Sequence, residues 1–237
     1  MPDSQGKTGV LVLLGITAAS LVALFFLPPI PQDQAYHALA DRREFFGIPN
    51  FSNLVSNLPF LLIGAAGLRL GGSPSVRIIF LSIFLVAFGS AYYHWDPSDA
   101  SLIWDRLPIT LGFMAILANL IEERVSAKAG ALLLWPLLAL GIASLVVWRI
   151  TGDLRLYGWV VFFPLLLLPL IFWLFPAKYS GTANWLIAGG LYLVAKVFEF
   201  LDAPVFAAGD IVSGHTLKHL FAAAACFFIL RNFQKRH

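Results

Sequence analysis

The sequence predicts an all-α integral membrane protein. Of the 237 residues, 59% are hydrophobic and only 12% are charged, whereas a soluble domain usually carries about 25% charged residues. The apolar residues also come in long runs, and a helix needs about 20 of them to cross the hydrocarbon core of a bilayer. No stretch between the runs is long enough to fold as a soluble domain, so we expect a multi-pass helical protein.

Eight apolar runs are the predicted spans, and turn-forming or charged residues end each of them. In chain order, the spans are residues 8–27, 53–70, 76–94, 104–121, 130–149, 156–175, 183–200 and 212–231. The breaks are Pro28 and Pro29, Gly71 and Gly72, Asp96 and Pro97, Glu122 to Arg124, Thr151 to Asp153, Pro176, and Asp202 to Pro204. Lys7 before the first run is typical of a signal peptide. However, the run is long and ends without a small-residue cleavage site, which favours a retained helix.

The distribution of lysine and arginine predicts the orientation, because cytoplasmic loops carry an excess of both. With the N-terminus in the cytoplasm, that side holds Lys7, Arg69, Arg77, Arg124, Lys128, Lys178, Arg231, Lys235 and Arg236. The opposite side holds Arg42, Arg43, Arg106, Arg149 and Arg155. Both termini are therefore expected in the cytoplasm. Membrane anchoring explains these basic residues, and they do not indicate nucleic-acid binding.

Four ionisable residues at the ends of spans predict a metal site near the outer face. His94 ends the third span, Asp105 opens the fourth, and His215 and His219 begin the eighth. Such groups are costly in a membrane helix and therefore indicate function. Histidines four residues apart share a helix face, and three histidines with one open position are typical of catalytic zinc. Asp105 could then accept a proton from zinc-bound water, and the Ser90 hydroxyl could support an oxyanion.

Each of these residues also has an ordinary structural explanation. A pair of histidines four apart is weak by itself, and His94 beside three aromatic residues resembles an interfacial belt. Asp105 could stabilise the start of its helix, and Ser90 could serve small-residue packing. Cys226 is the only cysteine, so neither an intramolecular disulfide nor a cysteine-based metal site is indicated. The convergence of all four features on one predicted face favours the metal site.

The motif Ser90-Ala-Tyr-Tyr-His94, followed by Asp105 and by His215-Thr-Leu-Lys-His219 in the last run, resembles the alkaline ceramidase family. This family belongs to the CREST superfamily of seven-helix membrane hydrolases, which also includes the adiponectin-receptor group. The resemblance covers about residues 36 to 231. It implies that His94, His215 and His219 bind zinc, that Asp105 activates water, and that Ser90 supports the oxyanion.

The resemblance also implies the organisation of the chain. Residues 53–231 would form the seven-helix catalytic core, and Asn53-Leu-Val-Ser-Asn57-Leu resembles the family's first core helix. Residues 1–30 would then be an additional N-terminal transmembrane helix. Residues 31–52 would form an outer loop, and residues 232–237 a basic cytoplasmic tail.

The outer loop carries a possible second metal site. Animal members of the family hold calcium ahead of the first core helix, and Asp41 and Glu44 resemble the start of that acidic cluster. Asn50 stands about where a later acidic ligand would fall. Calcium takes six to eight oxygen ligands, which these residues alone do not supply. The alternative is a solvated turn in which Arg42 and Arg43 pair with the acids.

The implied activity is hydrolysis of the amide bond of a ceramide or another N-acyl lipid. Attack by zinc-bound hydroxide would release a fatty acid and a sphingoid base, with the substrate entering from the bilayer. A metal-binding receptor or sensor of the adiponectin-receptor type, with little or no turnover, is the alternative. A transporter is a third possibility, but the two halves show no internal repeat. The sequence specifies neither the acyl lipid nor the oligomeric state.

Charged residues in the last two spans are expected to pair with each other. Lys196 and Glu199 are three residues apart, and an internal ion pair offsets the cost of lone charges there. Binding of a substrate headgroup is the alternative role for this pair. Lys218 is predicted to face away from the histidines and to pair with Glu199 or Asp202.

Overall fold

The computed structural model describes residues 4–235, and within them the chain forms helices and no β-strand. The α-helices are α1 (Ser4–Phe26), α2 (Phe51–Val55), α3 (Leu58–Leu70), α4 (Pro74–Trp95), α5 (Asp99–Arg124), α6 (Ala127–Thr151), α7 (Arg155–Leu174), α8 (Thr182–Phe200), α9 (Asp202–Ala207) and α10 (Gly214–Gln234). A short 3-10 helix, Gln34–His37, lies between α1 and α2. The all-α prediction is therefore confirmed. Arg236, part of the predicted basic tail, lies outside the described residues.

Six segments in the described part of the chain are long and apolar enough to cross a membrane. They are Gly6–Phe26, Phe51–Leu70, Pro74–Trp95, Asp99–Arg124, Ala127–Thr151 and Arg155–Leu174. This supports a multi-pass membrane protein. The helices α8 and α10 occupy the other two predicted spans, but they include charged residues and histidines. Whether α8 and α10 also cross the membrane stays a prediction.

The second predicted span is broken, which the sequence analysis did not anticipate. Helix α2 ends at Val55, and α3 begins at Leu58 with a proline in its first turn. Proline has no backbone N–H to donate to the preceding turn. The Asn57 side chain competes for backbone acceptors, because its Nδ2 donates to the Asn53 carbonyl (2.9 Å). The Asn57 backbone N–H bonds instead to the Leu54 carbonyl.

The chain divides into two compact units, of which the first comprises Met1–Gln32, Ser73–Ile79 and Thr110–Thr182. In this unit, α1 packs against α7. Trp159 Nε1 donates to Ser20 Oγ (3.0 Å). Arg155 Nη1 donates to the carbonyl oxygens of Leu24 (2.9 Å) and Leu27 (2.6 Å). The guanidinium thus satisfies carbonyls at the end of α1 that have no partner within the helix.

The second unit comprises Asp33–Gly72, Phe80–Ile109 and Ala183–His237. Its main helix contact joins α3 to α10. Glycines set the approach of α3 to α4, because a Cβ on Gly64 would overlap the backbone of Phe84 and one on Gly67 would overlap the ring of Phe80. Every site residue proposed from the sequence lies in this unit.

Candidate metal centre

Three buried imidazoles converge in the second unit. The side chains of His94, His215 and His219 are 0%, 3% and 4% exposed, and their ring centroids lie 4.8–4.9 Å from one another. One nitrogen from each ring lies within 4.8 Å of the others. In the described residues this is the only such group of three or more histidine, cysteine or acidic side chains. The histidines predicted from helical spacing are therefore brought together.

The start of α10 is held so that both of its histidines point to one side. Ser213 caps the helix by accepting a hydrogen bond from the Thr216 backbone N–H (3.1 Å), as N-cap serines commonly do. A Cβ on Gly214 would overlap the start of α9 at Asp202, so only glycine permits this approach. The Asp202 carboxylate in turn accepts a hydrogen bond from the His215 backbone N–H (2.8 Å).

The break between α2 and α3 supplies the partner that orients His219. Because the Asn57 N–H bonds elsewhere, the Asn53 carbonyl can accept a hydrogen bond from His219 Nδ1 (3.1 Å). Ser56 Oγ lies 2.7 Å from the same nitrogen and donates its own proton to the Asn53 carbonyl (2.8 Å). A carbonyl can only accept, so Nδ1 carries the proton and Nε2 carries the lone pair. This is the arrangement that metal-binding histidines usually adopt.

The nitrogen spacing fits a metal. His94 Nε2 and His219 Nε2 are 3.3 Å apart, and two nitrogens bound to one tetrahedral zinc at about 2.0–2.1 Å would be about 3.3 Å apart. Neutral imidazole is a ligand for zinc, copper, iron and nickel. The geometry of the donors therefore accommodates a transition metal, while the identity of that metal stays a prediction.

Asp105 and Ser90 form a second buried pair in the same unit. They are 5% and 1% exposed, and the Ser90 side chain hydrogen-bonds to the Asp105 carboxylate. Gly89 allows α4 and α5 to approach here, because a Cβ at this position would overlap the carbonyl oxygen of Trp104. Asp105 does not belong to the group formed by the three histidines. Its carboxylate is thus held by a hydroxyl instead of being clustered with the imidazoles.

A network of charges lies beside His215. Glu199 pairs with Lys196 and also with Lys218 (2.6 Å), which confirms both predicted ion pairs. The prediction that Lys218 faces away from the histidines is wrong, because its Nζ lies 3.4 Å from His215 Nε2. Lys218 is three residues after His215 and therefore a neighbour on the helix surface. The spacing itself was the signal for this contact.

The segment between α1 and α2 contributes aromatic residues that the sequence analysis missed. The Tyr36 hydroxyl donates to Glu199 Oε1 (2.8 Å), and its ring stacks on Tyr93 at 6.3 Å. His37 lies between Tyr93 Oη (3.0 Å) and Asp99 Oδ1 (3.1 Å). These residues lie in a connecting segment, where no helical periodicity could have placed them near the histidines.

The residues proposed for calcium are arranged differently. Both Asp41 carboxylate oxygens accept hydrogen bonds from Arg43 (2.8 and 2.7 Å), while Glu44 is exposed. Asn50 Nδ2 donates to the His94 carbonyl (2.8 Å). The Arg43 hydrogen bond holds the pKa of Asp41 below its usual range. The Arg43 pair agrees with the alternative at this loop, but Asp41 is buried and not solvated, and Arg42 Nε donates to the Leu39 carbonyl (3.0 Å). Calcium binding stays a prediction.

No protein-family model matches this chain, and no curated protein shows significant similarity to it. The residues of the second unit are therefore the basis for assigning a function.

Proposed function

We propose that this chain is a zinc-dependent intramembrane hydrolase that cleaves the amide bond of an N-acyl lipid, as the alkaline ceramidases do. The observation that carries the proposal is the convergence of three buried imidazoles in the same helical unit as a buried carboxylate and hydroxyl. Buried polar groups cost free energy unless they are paired. A metal would give the three imidazoles a common partner.

Each residue of the site would have a separate catalytic role. A zinc ion held by His94, His215 and His219 would polarise an amide carbonyl and lower the pKa of a bound water to about 7. Asp105 would accept the proton of the attacking water and return it to the departing nitrogen. The Ser90 hydroxyl, which hydrogen-bonds to Asp105, would orient that carboxylate. Support of the oxyanion is the other role that is predicted for the Ser90 hydroxyl.

The membrane setting favours a lipid substrate. Six segments of the described chain are apolar enough to span a bilayer, and a site among such helices is reached most directly from lipid. We propose that both termini are cytoplasmic and that the histidines lie nearer the outer face, as the distribution of lysine and arginine predicts. Ceramide is the substrate that the family resemblance implies, and other N-acyl lipids share its reactive amide.

The proposal is tested with the full-length protein purified in detergent. We expect about one zinc per chain and release of fatty acid from a ceramide or another N-acyl lipid. Asp105→Asn should keep its zinc and lose turnover by roughly 100- to 10,000-fold, which is the usual contribution of a general base. Asp96→Asn, which changes an exposed carboxylate in the link between α4 and α5, is the matched control and should retain activity.

Two outcomes would overturn the proposal. A folded, metal-free protein with full activity would exclude the zinc mechanism. A zinc-loaded protein that cleaves no N-acyl lipid would favour the alternative, a metal-binding receptor or sensor with little or no turnover.

A further inference from the structure

Two lysines share a single carboxylate beside the histidines. Glu199 Oε1 pairs with the Lys218 ammonium (2.6 Å) and accepts a hydrogen bond from the Tyr36 hydroxyl (2.8 Å). Glu199 Oε2 pairs with Lys196. The carboxylate is thus fully engaged, and it fixes the positions of both ammonium groups.

Basic side chains cluster around this carboxylate. Lys196 and Lys218 both pair with Glu199, so two ammonium groups share one carboxylate. The guanidinium of Arg106 lies 5.8 Å from the Tyr36 ring centroid and the Lys218 ammonium 6.0 Å from it. Arg106 and Lys218 therefore lie near the same aromatic ring.

Two other carboxylates in the unit are committed to different donors. Asp202 accepts hydrogen bonds from the backbone N–H groups of His215 (2.8 Å) and Ala40 (3.0 Å). Asp99 lies 3.1 Å from the His37 ring and accepts a hydrogen bond from Gln34 (3.2 Å). Both carboxylates therefore have donors of their own. A bound metal cation would add positive charge beside the lysines.

Lys218 is directed toward the reacting centre. Its Nζ lies 3.4 Å from His215 Nε2, so the ammonium is in contact with the group of three imidazoles. The Lys218 side chain is 16% exposed and that of Lys196 is 35% exposed. Both are sufficiently buried for a charge-assisted hydrogen bond to be strong, and sufficiently open for a ligand to reach them.

We propose that Lys218 and Lys196, held by Glu199, form a subsite for an anionic group on the amine half of the substrate. This inference rests on the proposed function, and it predicts a preference for N-acyl lipids whose amine portion carries a carboxylate or phosphate. An N-acyl amino acid is the simplest such lipid. Hydrolysis adds water across its amide, so that the acyl carbon gains hydroxyl, the nitrogen gains a proton, and a fatty acid and an amino acid leave.

A pair of lipids that differ in one group tests the subsite. N-oleoylglycine and N-oleoylethanolamine share the acyl chain and the amide, but the first ends in a carboxylate and the second in a neutral hydroxymethyl group. We expect the zinc-loaded protein to favour N-oleoylglycine in kcat/KM by roughly tenfold to a hundredfold, which is the usual value of one hydrogen bond to a charged group. Lys218→Met should lower kcat/KM for N-oleoylglycine more than for N-oleoylethanolamine, so that the preference for the carboxylate is lost.

Binding provides a readout that does not depend on turnover. The chain contains seven tryptophans, so lipid binding to the metal-free protein can be followed by their fluorescence. N-oleoylglycine should bind more tightly than N-oleoylethanolamine to the wild type but not to Lys218→Met, and Lys218→Arg should restore part of the difference. If Lys218→Met fails to fold, Lys218→Gln tests the same contact, because it keeps a hydrogen-bond donor beside Glu199 but removes the positive charge.

The outcomes separate this subsite from the proposed activity. Hydrolysis without any preference for the carboxylate would overturn the subsite and leave the hydrolase intact. A preference in binding without hydrolysis of any lipid would overturn the hydrolase and support the subsite. If Lys218→Met weakens inhibition by oleate but leaves the preference unchanged, the lysine receives the released fatty acid and the headgroup proposal is wrong. An equal loss of kcat/KM with both substrates would overturn the subsite, because Lys218 would then be only structural.

Discussion

Removal of one hydroxyl should weaken metal binding without removing a ligand. In the Ser56→Ala variant, His219 Nδ1 would lose an acceptor at 2.7 Å but keep the Asn53 carbonyl at 3.1 Å. The tautomer would therefore persist, while the imidazole would be less firmly oriented. Loss of a hydrogen bond to a metal-binding histidine typically costs 10- to 100-fold in affinity. Because one acceptor remains, we expect the lower end, a zinc affinity weaker by about tenfold.

Chelator competition at fixed pH measures this change directly. Ser144→Ala is the matched control, because Ser144 is also buried and donates to a carbonyl three residues earlier (2.7 Å), as Ser56 does (2.8 Å). Both variants lose a similar local hydrogen bond, but only Ser56 contacts an imidazole. An unchanged zinc affinity in folded Ser56→Ala would refute the claim that the Ser56 hydroxyl orients His219 for metal binding.

Two further predictions concern stability. Gly89→Ala should force α4 and α5 apart, because the added Cβ would overlap the Trp104 carbonyl. Overpacking of this kind typically costs about 1–3 kcal/mol of folding free energy. Gly15→Ala is the control, because nothing lies within 4 Å of that position, and equal melting temperatures for the two variants would contradict the prediction. Arg43 lowers the pKa of Asp41, so the pair should contribute stability above the ordinary carboxyl pKa of about 3.9 and lose it as pH falls through the lower folded value. An acid-unfolding midpoint that is unaffected by Asp41→Asn would show that the pair contributes nothing.

Hydropathy predicted the long helices, and helical spacing predicted that His215 and His219 lie together. Long apolar runs predicted the helices because a spanning chain must satisfy its backbone internally. His215 and His219 were placed on one face by their spacing of four residues, and the observed ring separation of 4.9 Å agrees with it. Local rules suffice here because one helix supplies both ligands.

The partners of the histidines could not be predicted in the same way. His219 is oriented by the Asn53 carbonyl, which does not accept the Asn57 backbone N–H at the break between α2 and α3. The hydropathy pattern predicts one apolar run over residues 53–70. It does not indicate which backbone carbonyl lacks its hydrogen bond to the N–H four residues later. Tyr36 lies in a connecting segment, so its contact with Glu199 depends on the path of the loop, which no periodicity encodes.

The charges of α8 and α10 help to explain why neither helix is among the six segments that are apolar enough to span a membrane. A helix selected only to cross a bilayer would replace Lys196, Glu199 and Lys218 with apolar residues, since a buried ion pair is often no more stabilising than apolar packing. Charges within a membrane helix instead mark functional sites, and these three lie against one another and beside His215. If α8 and α10 cross the bilayer, as the sequence predicts, their charges are a consequence of the proposed site.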